Sequence, residues 1–275
     1  MQLETEWIRI GSGPDTLPAY MARPARAQEP LPAIIVIQEI WGVDGHIADL
    51  TERFASSGYV AVAPDLYAHG GQRPAALAAD RVEAVKRFLD TVPPSAWMNP
   101  QERDAAIDRL PEPQRSEIRG TFGTIFSPNR DMTGFSTDLR ATAAHLRTHS
   151  ASRGRPVGST GYCMGGALSA LLACSDPDLA AAVIYYGSAP PDERLDGIRC
   201  PVFGFYGGDD PRITGGVPAF AEAMAARGKQ FEHRIYPHTP HAFFNDTRTS
   251  YRVEAARDAW ASTLAFFARH LGGTA

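Results

Sequence analysis

Short apolar, β-branched runs recur along this chain, each followed by turn residues and then by a segment of helical period, and no other feature constrains its fold as much. Ala33–Ile37, Tyr59–Ala63, Val157–Thr160, Ala181–Tyr186, Pro201–Tyr206 and Phe231–Tyr236 are the strand candidates. Strands that alternate with helices close around a largely parallel sheet, because parallel neighbours need long crossovers and the helices cover both faces. Ala33–Ile37 contains no polar residue, as expected of a strand buried on both sides. Glu6–Ile10 and Leu17–Ala22, separated by Gly11-Ser-Gly-Pro14, predict an antiparallel pair at the edge of the same sheet.

Helical period appears in Ile47–Ser57, Leu77–Asp90, Phe135–His149 and Val217–Arg227. In the third of these, Phe135, Leu139, Ala143 and Leu146 share one face; near the C-terminus Val253, Trp260, Leu264 and Phe267 do the same. Such stripes seek a core. Residues 91–131 break the pattern: they are rich in Pro, Arg and acids, with a possible helix over Gln101–Ile118 and loops on either side. This segment reads as an insertion over one end of the sheet, either a lid or a solvated surface excursion.

The expected architecture is therefore one α/β domain over residues 1–275. Hydrophobic residues make up 44% of the chain and charged residues 21%, enough apolar surface for a large core without a metal or disulfide. The formal net charge of -4 forms no basic stripe, so nucleic acid and anionic membranes are not expected partners; a small uncharged or mildly anionic molecule is. Met1–Ile10 has no basic stretch followed by an apolar run, so no secretory signal is expected, and no apolar stretch reaches membrane-spanning length. Cys163, Cys174 and Cys200 lack C-x-x-C spacing, which argues against a disulfide framework or structural zinc. A reducing cytoplasm and a monomer or small homo-oligomer are the corresponding expectations.

Gly161-Tyr-Cys-Met-Gly-Gly166 carries the strongest chemical signal. It follows a short strand and precedes the helix-compatible run Ala167–Cys174, the setting of a G-x-nucleophile-x-G elbow with Cys in place of Ser. A Cβ at position 161 or 165 would crowd the neighbouring strand and helix, hence the glycines. Cys163 at a helix N-terminus is placed where backbone N–H groups and the helix dipole favour the thiolate, although free cysteines are also commonly inert core residues.

In such a fold the acid and the histidine follow the nucleophile in that order. Gly207-Gly-Asp-Asp-Pro211 comes after one strand and Pro237-His-Thr-Pro-His-Ala-Phe243 after the next. Asp in a Gly-rich turn is ordinarily a turn former, but the ordered set points to a nucleophile, an imidazole that manages its proton, and a carboxylate that fixes the tautomer. Spacing leaves Asp209 against Asp210 and His238 against His241. His46, His69, His145 and His149 read as surface or loop residues without a role. Glu39, at the end of an apolar strand, is unusual because a carboxylate there must be partnered or solvated; Trp41 beside it is cleft wall or core.

These residues resemble the dienelactone hydrolase family, carboxymethylenebutenolidases on the α/β-hydrolase fold. The matching stretches are Gln38-Glu-Ile-Trp-Gly42, Ala63-Pro-Asp-Leu-Tyr67, the Cys163 elbow, Gly207-Gly-Asp-Asp210 and His241-Ala-Phe243. The resemblance implies that the acid is Asp210 and the histidine His241, that Glu39 helps generate the thiolate when substrate enters, and that the backbone N–H groups of Ile40 and Met164 form the oxyanion hole. Trp41, Tyr67 and Phe243 are the candidates for contact with substrate.

The chain departs from the family in one respect that touches specificity. The family grips a substrate carboxylate with two arginines, but Asn245 stands where the first should fall, with Arg248 three residues on. The second cannot be placed, because the chain diverges after Gly71 and then enters the insertion, and Thr239 and Pro240 replace small residues before the histidine. The expected activity is hydrolysis of a carboxylic ester or lactone, the substrate widened beyond dienelactone to other esters, lactones or thioesters. No metal or organic cofactor is expected, since there is no ligand cluster and the glycine-rich segment lacks the Lys-Ser/Thr tail of a phosphate loop. The rival readings are a carboxylesterase or thioesterase whose insertion lids an acyl site, and a non-catalytic binding or redox-sensing protein.

Overall fold

In the computed structural model, which describes residues 1–11, 13–97, 99–127 and 129–272, eight strands form one sheet. They are β1 (Leu3–Ile10), β2 (Leu17–Pro24), β3 (Ala33–Ile37), β4 (Val60–Pro64), β5 (Val157–Tyr162), β6 (Ala181–Tyr185), β7 (Val202–Gly207) and β8 (Phe231–Tyr236). Their spatial order is β1-β2-β4-β3-β5-β6-β7-β8. The strands from β3 to β8 run parallel; β2 pairs antiparallel with both β1 and β4, so the N-terminal hairpin edges the sheet as its sequence predicts. Ser12 of the expected Gly11–Pro14 turn lies outside the described residues, as do Met98 and Pro128 of the 91–131 segment and residues 273–275.

The helices are α1 (Gly45–Ser56), α2 (Ala79–Asp90), α3 (Pro100–Asp108), α4 (Gln114–Ile125), α5 (Met132–Thr148), α6 (Met164–Ser175), α7 (Pro211–Thr214), α8 (Val217–Ala226) and α9 (Val253–Phe267). Successive side chains of a strand point to opposite faces, and β3 shows the consequence. Ile34 and Val36 meet Ile47, Leu50 and Phe54 of α1 and Phe266 and Phe267 of α9. Ile35 and Ile37 instead join the core built by α2, α5, α6 and α8, with Val85, Leu139, Leu168 and Phe220 among its members. All five residues of β3 are fully buried, as are the long apolar side chains of α5 at Leu139 and Leu146.

Caps explain two helix starts that period alone misses. The Asp44 carboxylate accepts from Ile47 N–H at 3.0 Å, and that of Asp131 from Gly134 N–H at 2.8 Å, so α1 and α5 begin before their first apolar-periodic residues.

The excursion differs more from expectation. In place of one helix over 101–118 it holds two, α3 and α4, separated by a break containing Pro111 and Pro113. Proline lacks the N–H and collides with the preceding turn, so a helix cannot run through this pair. Nor is the segment merely solvated: Ile107, Ile118, Phe122 and Ile125 are buried in the same core, and Arg81 of α2 donates to the Glu117 carbonyl of α4 at 2.9 Å. A short turn, Pro94–Trp97, delivers Trp97 against Trp41 with ring centres 6.0 Å apart. Among the described residues no helix is long and apolar enough to cross a membrane.

Candidate active site

Cys163 stands between β5 and α6 with φ 56° and ψ -114°, a left-handed backbone that residues bearing a Cβ seldom adopt. The surroundings hold it there. Its N–H donates to the Tyr185 carbonyl of β6 at 3.0 Å, and its own carbonyl accepts from Gly166 N–H at 3.0 Å in the first turn of α6. The adjoining glycines are required by contact: a Cβ on Gly161 would strike the Gly165 carbonyl, and one on Gly165 would strike the carbonyls of Ile37 and Gln38. β5 and α6 therefore approach more closely than any side chain permits, and the turn between them presents the thiol outward.

Of the two acids and two histidines that spacing left open, the structure pairs Asp210 with His241. Nδ1 of His241 lies 2.6 Å from Oδ2 of Asp210, which is buried at the end of β7. Asp209 and His238 are exposed. Burial alone would lower the imidazolium; the negative charge of Cys163, the hydrogen bonds to Asp210 and Cys163, and the charge of Asp210 outweigh it and raise His241 to about 10. The ring packs against Tyr186, with centres 5.0 Å apart.

Tyr186 also takes part in a second arrangement. Its hydroxyl donates to Oε1 of Glu39 at 3.3 Å, while Nδ2 of Asn245 donates to Oε2 at 2.8 Å. Glu39 is 2% exposed, so the two hydrogen bonds offset part of the cost of burying its carboxylate, and both donors are neutral. Among the described residues no hydrogen bond joins Glu39 to Cys163, though both line the same cleft. Neither Tyr186 nor the amide function of Asn245 was signalled by the sequence as a partner of Glu39. Tyr186 ends a predicted strand, where its backbone φ of 41° turns the chain, and Asn245 registers only as a missing arginine.

Two loops complete the wall. Gln38 accepts from Leu66 N–H at 3.1 Å, and the Tyr67 hydroxyl donates to the Ile40 carbonyl at 2.9 Å, so the Asp-Leu-Tyr loop after β4 supports the Gln-Glu-Ile loop after β3. Met164 opens α6, where a helix leaves its first N–H groups without partners inside the helix. Among the described residues the Ile40 N–H donates to no backbone carbonyl. Arg130, at the end of the excursion, reaches the Met164 sulfur at 3.6 Å. Arg73, the first arginine after the Asp-Leu-Tyr box, is bound to Asp65 at 2.6 Å and does not line the cleft.

The cleft over Cys163 and His241 encloses about 440 Å³ and is walled by Glu39, Trp41, Leu89, Trp97 and Arg248. A larger groove of about 590 Å³ shares Trp41 but contains neither the thiol nor His241, so the smaller cleft is the candidate site. Trp41 is thus both core and cleft wall: 4% exposed, yet on the lining. Tyr67 bears on the cleft through Ile40. Phe243 does not line it; fully buried against Tyr186 and Tyr236, it packs the core instead of meeting substrate.

The reading of His46 as a surface or loop residue is corrected as well. It is 3% exposed in the first turn of α1, edge-on to Tyr162 with ring centres 6.2 Å apart, because the capped start of α1 tucks under the sheet. Among the described residues no cluster of three or more His, Cys, Asp or Glu is arranged to hold a metal ion.

Residues 17–271 match the model of the dienelactone hydrolase family. The chain is 34% identical over 253 residues to a Saccharolobus solfataricus protein named "Putative carboxymethylenebutenolidase", covering 91% of this chain and 93% of that one. An Escherichia coli protein of the same name is 30% identical, with 96% and 86% covered. The crystal structure titled as a "Putative Dienelactone Hydrolase" from Klebsiella pneumoniae superposes with a TM-score of 0.73 at 29% identity, covering 98% of this chain and all of that one.

Proposed function

The chain belongs to the dienelactone hydrolase family, and from that premise we propose that it hydrolyses a carboxylic ester or lactone with Cys163 as nucleophile, His241 and Asp210 completing the triad and Glu39 assisting. The observation that carries this reading is the arrangement of Cys163 and His241 in one cleft, with Nδ1 of His241 2.6 Å from Oδ2 of Asp210. A thiolate beside an imidazolium is the reactive state of a cysteine hydrolase: once ionised, the sulfur can attack, and the ring carries the proton that the leaving group needs.

In the proposed sequence the thiolate attacks the carbonyl carbon, and the N–H groups of Ile40 and Met164 receive the oxyanion. His241 gives its proton to the departing alkoxide, which in a lactone stays tethered to the acyl group. A water molecule then loses a proton to the neutral ring and attacks the thioester, and collapse of the second oxyanion returns the thiolate. Asp210 holds Nδ1–H so that Nε2 faces the reaction throughout. Before the attack Glu39 takes the thiol proton as a substrate displaces the sulfur from its resting position, and it returns that proton to the released thiolate at the end of the cycle.

A second reading within the same chemistry, an esterase or thioesterase with a lidded acyl site, is favoured by Leu89, Val92 and Trp97 on the cleft wall, the last two supplied by the start of the excursion. The deciding experiment is hydrolysis of short aryl esters, enol lactones including dienelactone, and acyl thioesters by the wild type and by Cys163→Ala. Lactone or ester turnover that vanishes in the alanine variant supports the proposal. Inertness toward the whole panel, or activity that survives the substitution, overturns it.

A further inference from the structure

Among the described residues lining the cleft, Arg248 is the single lysine or arginine, and its charge is already engaged. Its Nη2 lies 3.1 Å from Oδ1 of Asp90 at the end of α2. The guanidinium carbon sits 5.3 Å from the ring centre of Trp97 and 5.9 Å from that of Trp41, so the cation lies over two indoles. The other carboxylate on the lining, Glu39, is bonded to the neutral donors Tyr186 and Asn245. Outside the Cys163–His241 pair, two carboxylates against one guanidinium leave the lining with excess negative charge; beyond the lining, Asp210 stands behind His241 and Arg130 against Met164. Between these groups the wall is apolar, formed by Leu89, Val92 and the two indoles.

An acyl group bearing a carboxylate would enter this cleft at a disadvantage. It would give up water, face Glu39, and find Arg248 occupied. An uncharged apolar acyl group suffers none of these costs and gains contact with Leu89, Val92 and Trp97. Resting on the hydrolytic reading above, we infer that Asp90 is a specificity-determining residue: by holding Arg248 it reserves the cleft for esters and lactones whose acyl portion is neutral and apolar. Its place suits the task, because its side chain is half exposed while that of Arg248 is 12% exposed, so the pair sits at the mouth where an incoming substrate first meets the wall.

The test compares 4-nitrophenyl butyrate with 4-nitrophenyl hemisuccinate, which share a leaving group and nearly the same acyl length and differ by a terminal carboxylate. Wild type should prefer the butyrate by about tenfold or more in kcat/KM, the scale expected for desolvating an unpaired carboxylate beside like charge. Asp90→Asn and Asp90→Ala should narrow that gap about two- to fivefold, as befits a partly exposed ion pair. Equal or faster turnover of the hemisuccinate by wild type, or a ratio unmoved in both variants, overturns this inference while leaving the hydrolytic reading in place. If neither ester turns over above the Cys163→Ala background, this inference is overturned, while the hydrolytic reading stands or falls on the lactones and thioesters of the panel above.

Discussion

Asn245 donates from Nδ2 to Oε2 of Glu39 across 2.8 Å, joining the loop after β8 to the end of β3 over 206 positions of sequence. Both residues are almost completely buried. A neutral amide at this point orients the carboxylate without setting an opposite charge beside it. The Asn245 carbonyl is occupied in turn by the N–H and hydroxyl of Thr247, so the amide cannot flip without losing three hydrogen bonds.

Replacing Asn245 should therefore register in stability before chemistry. Asn245→Ala leaves one oxygen of Glu39 buried without a donor and should cost about 1–3 kcal/mol in urea unfolding. Asn245→Asp sets two buried carboxylates side by side, and its deficit should exceed that of the alanine variant at neutral pH and shrink as acid protonates the pair. An aspartate variant as stable as wild type at neutral pH would contradict the direct Asn245–Glu39 hydrogen bond.

Cys163→Ala should remove at least about a thousandfold of kcat/KM, the scale of loss for a triad nucleophile, with an unchanged circular dichroism spectrum. Cys163→Ser should also lose most activity, because a carboxylate such as Glu39 can accept a proton from a thiol far more readily than from an alcohol. A serine variant of full activity would remove Glu39 from the mechanism.

The raised imidazolium gives stability a definite pH dependence. His241 titrates at about 10 in the folded chain, against roughly 6.5 for an unperturbed histidine. The stabilisation is thus complete below about pH 6.5 and disappears as pH rises through about 10. The melting temperature of wild type should fall across that window more steeply than that of His241→Gln. Asp210→Asn withdraws one of the two groups that raise the ring, so the His241 ring signals in its NMR titration should move at lower pH than in wild type. Identical titrations in the two proteins would show that Asp210 does not hold the ring.

Glycine substitutions separate tight turns from open ones. Gly161→Ala or Gly165→Ala drives a Cβ into backbone carbonyls that cannot retreat, and each should destabilise by more than about 4 kcal/mol or abolish soluble expression. Gly120, exposed in α4 with no neighbouring atom within 4 Å of the place a methyl group would take, is the opposite case. Gly120→Ala should stabilise by about 0.5–1 kcal/mol, read by thermal unfolding.

Much of this architecture was legible in the residues themselves. Short apolar runs mark the strands and period-3.6 patterns the principal helices, because burial on one face or two leaves a local imprint on composition. The elbow at Cys163 is equally local: glycines at 161 and 165 answer steric demands made within one turn. The paired prolines at 111 and 113 also carried their message, that the excursion holds two helices, although periodicity alone ran through them.

Tertiary structure decided what depends on the order and spacing of distant strands. Whether Asp210 or Asp209, and His241 or His238, faces the thiol is a matter of rotation at the ends of β7 and β8; the family resemblance pointed to one pair, and the folded loops bring that pair together. The burial of His46 and the packing of Phe243 away from the cleft follow from how α1 and the loop after β8 settle on the sheet. The partners of Glu39 and the hold of Asp90 on Arg248 link segments more than a hundred residues apart. Local sequence determined the elements and the turn that carries Cys163, since short-range sterics and periodic burial act within a few residues; only the closed sheet determined which side chains meet, since those contacts exist once eight strands have taken their places.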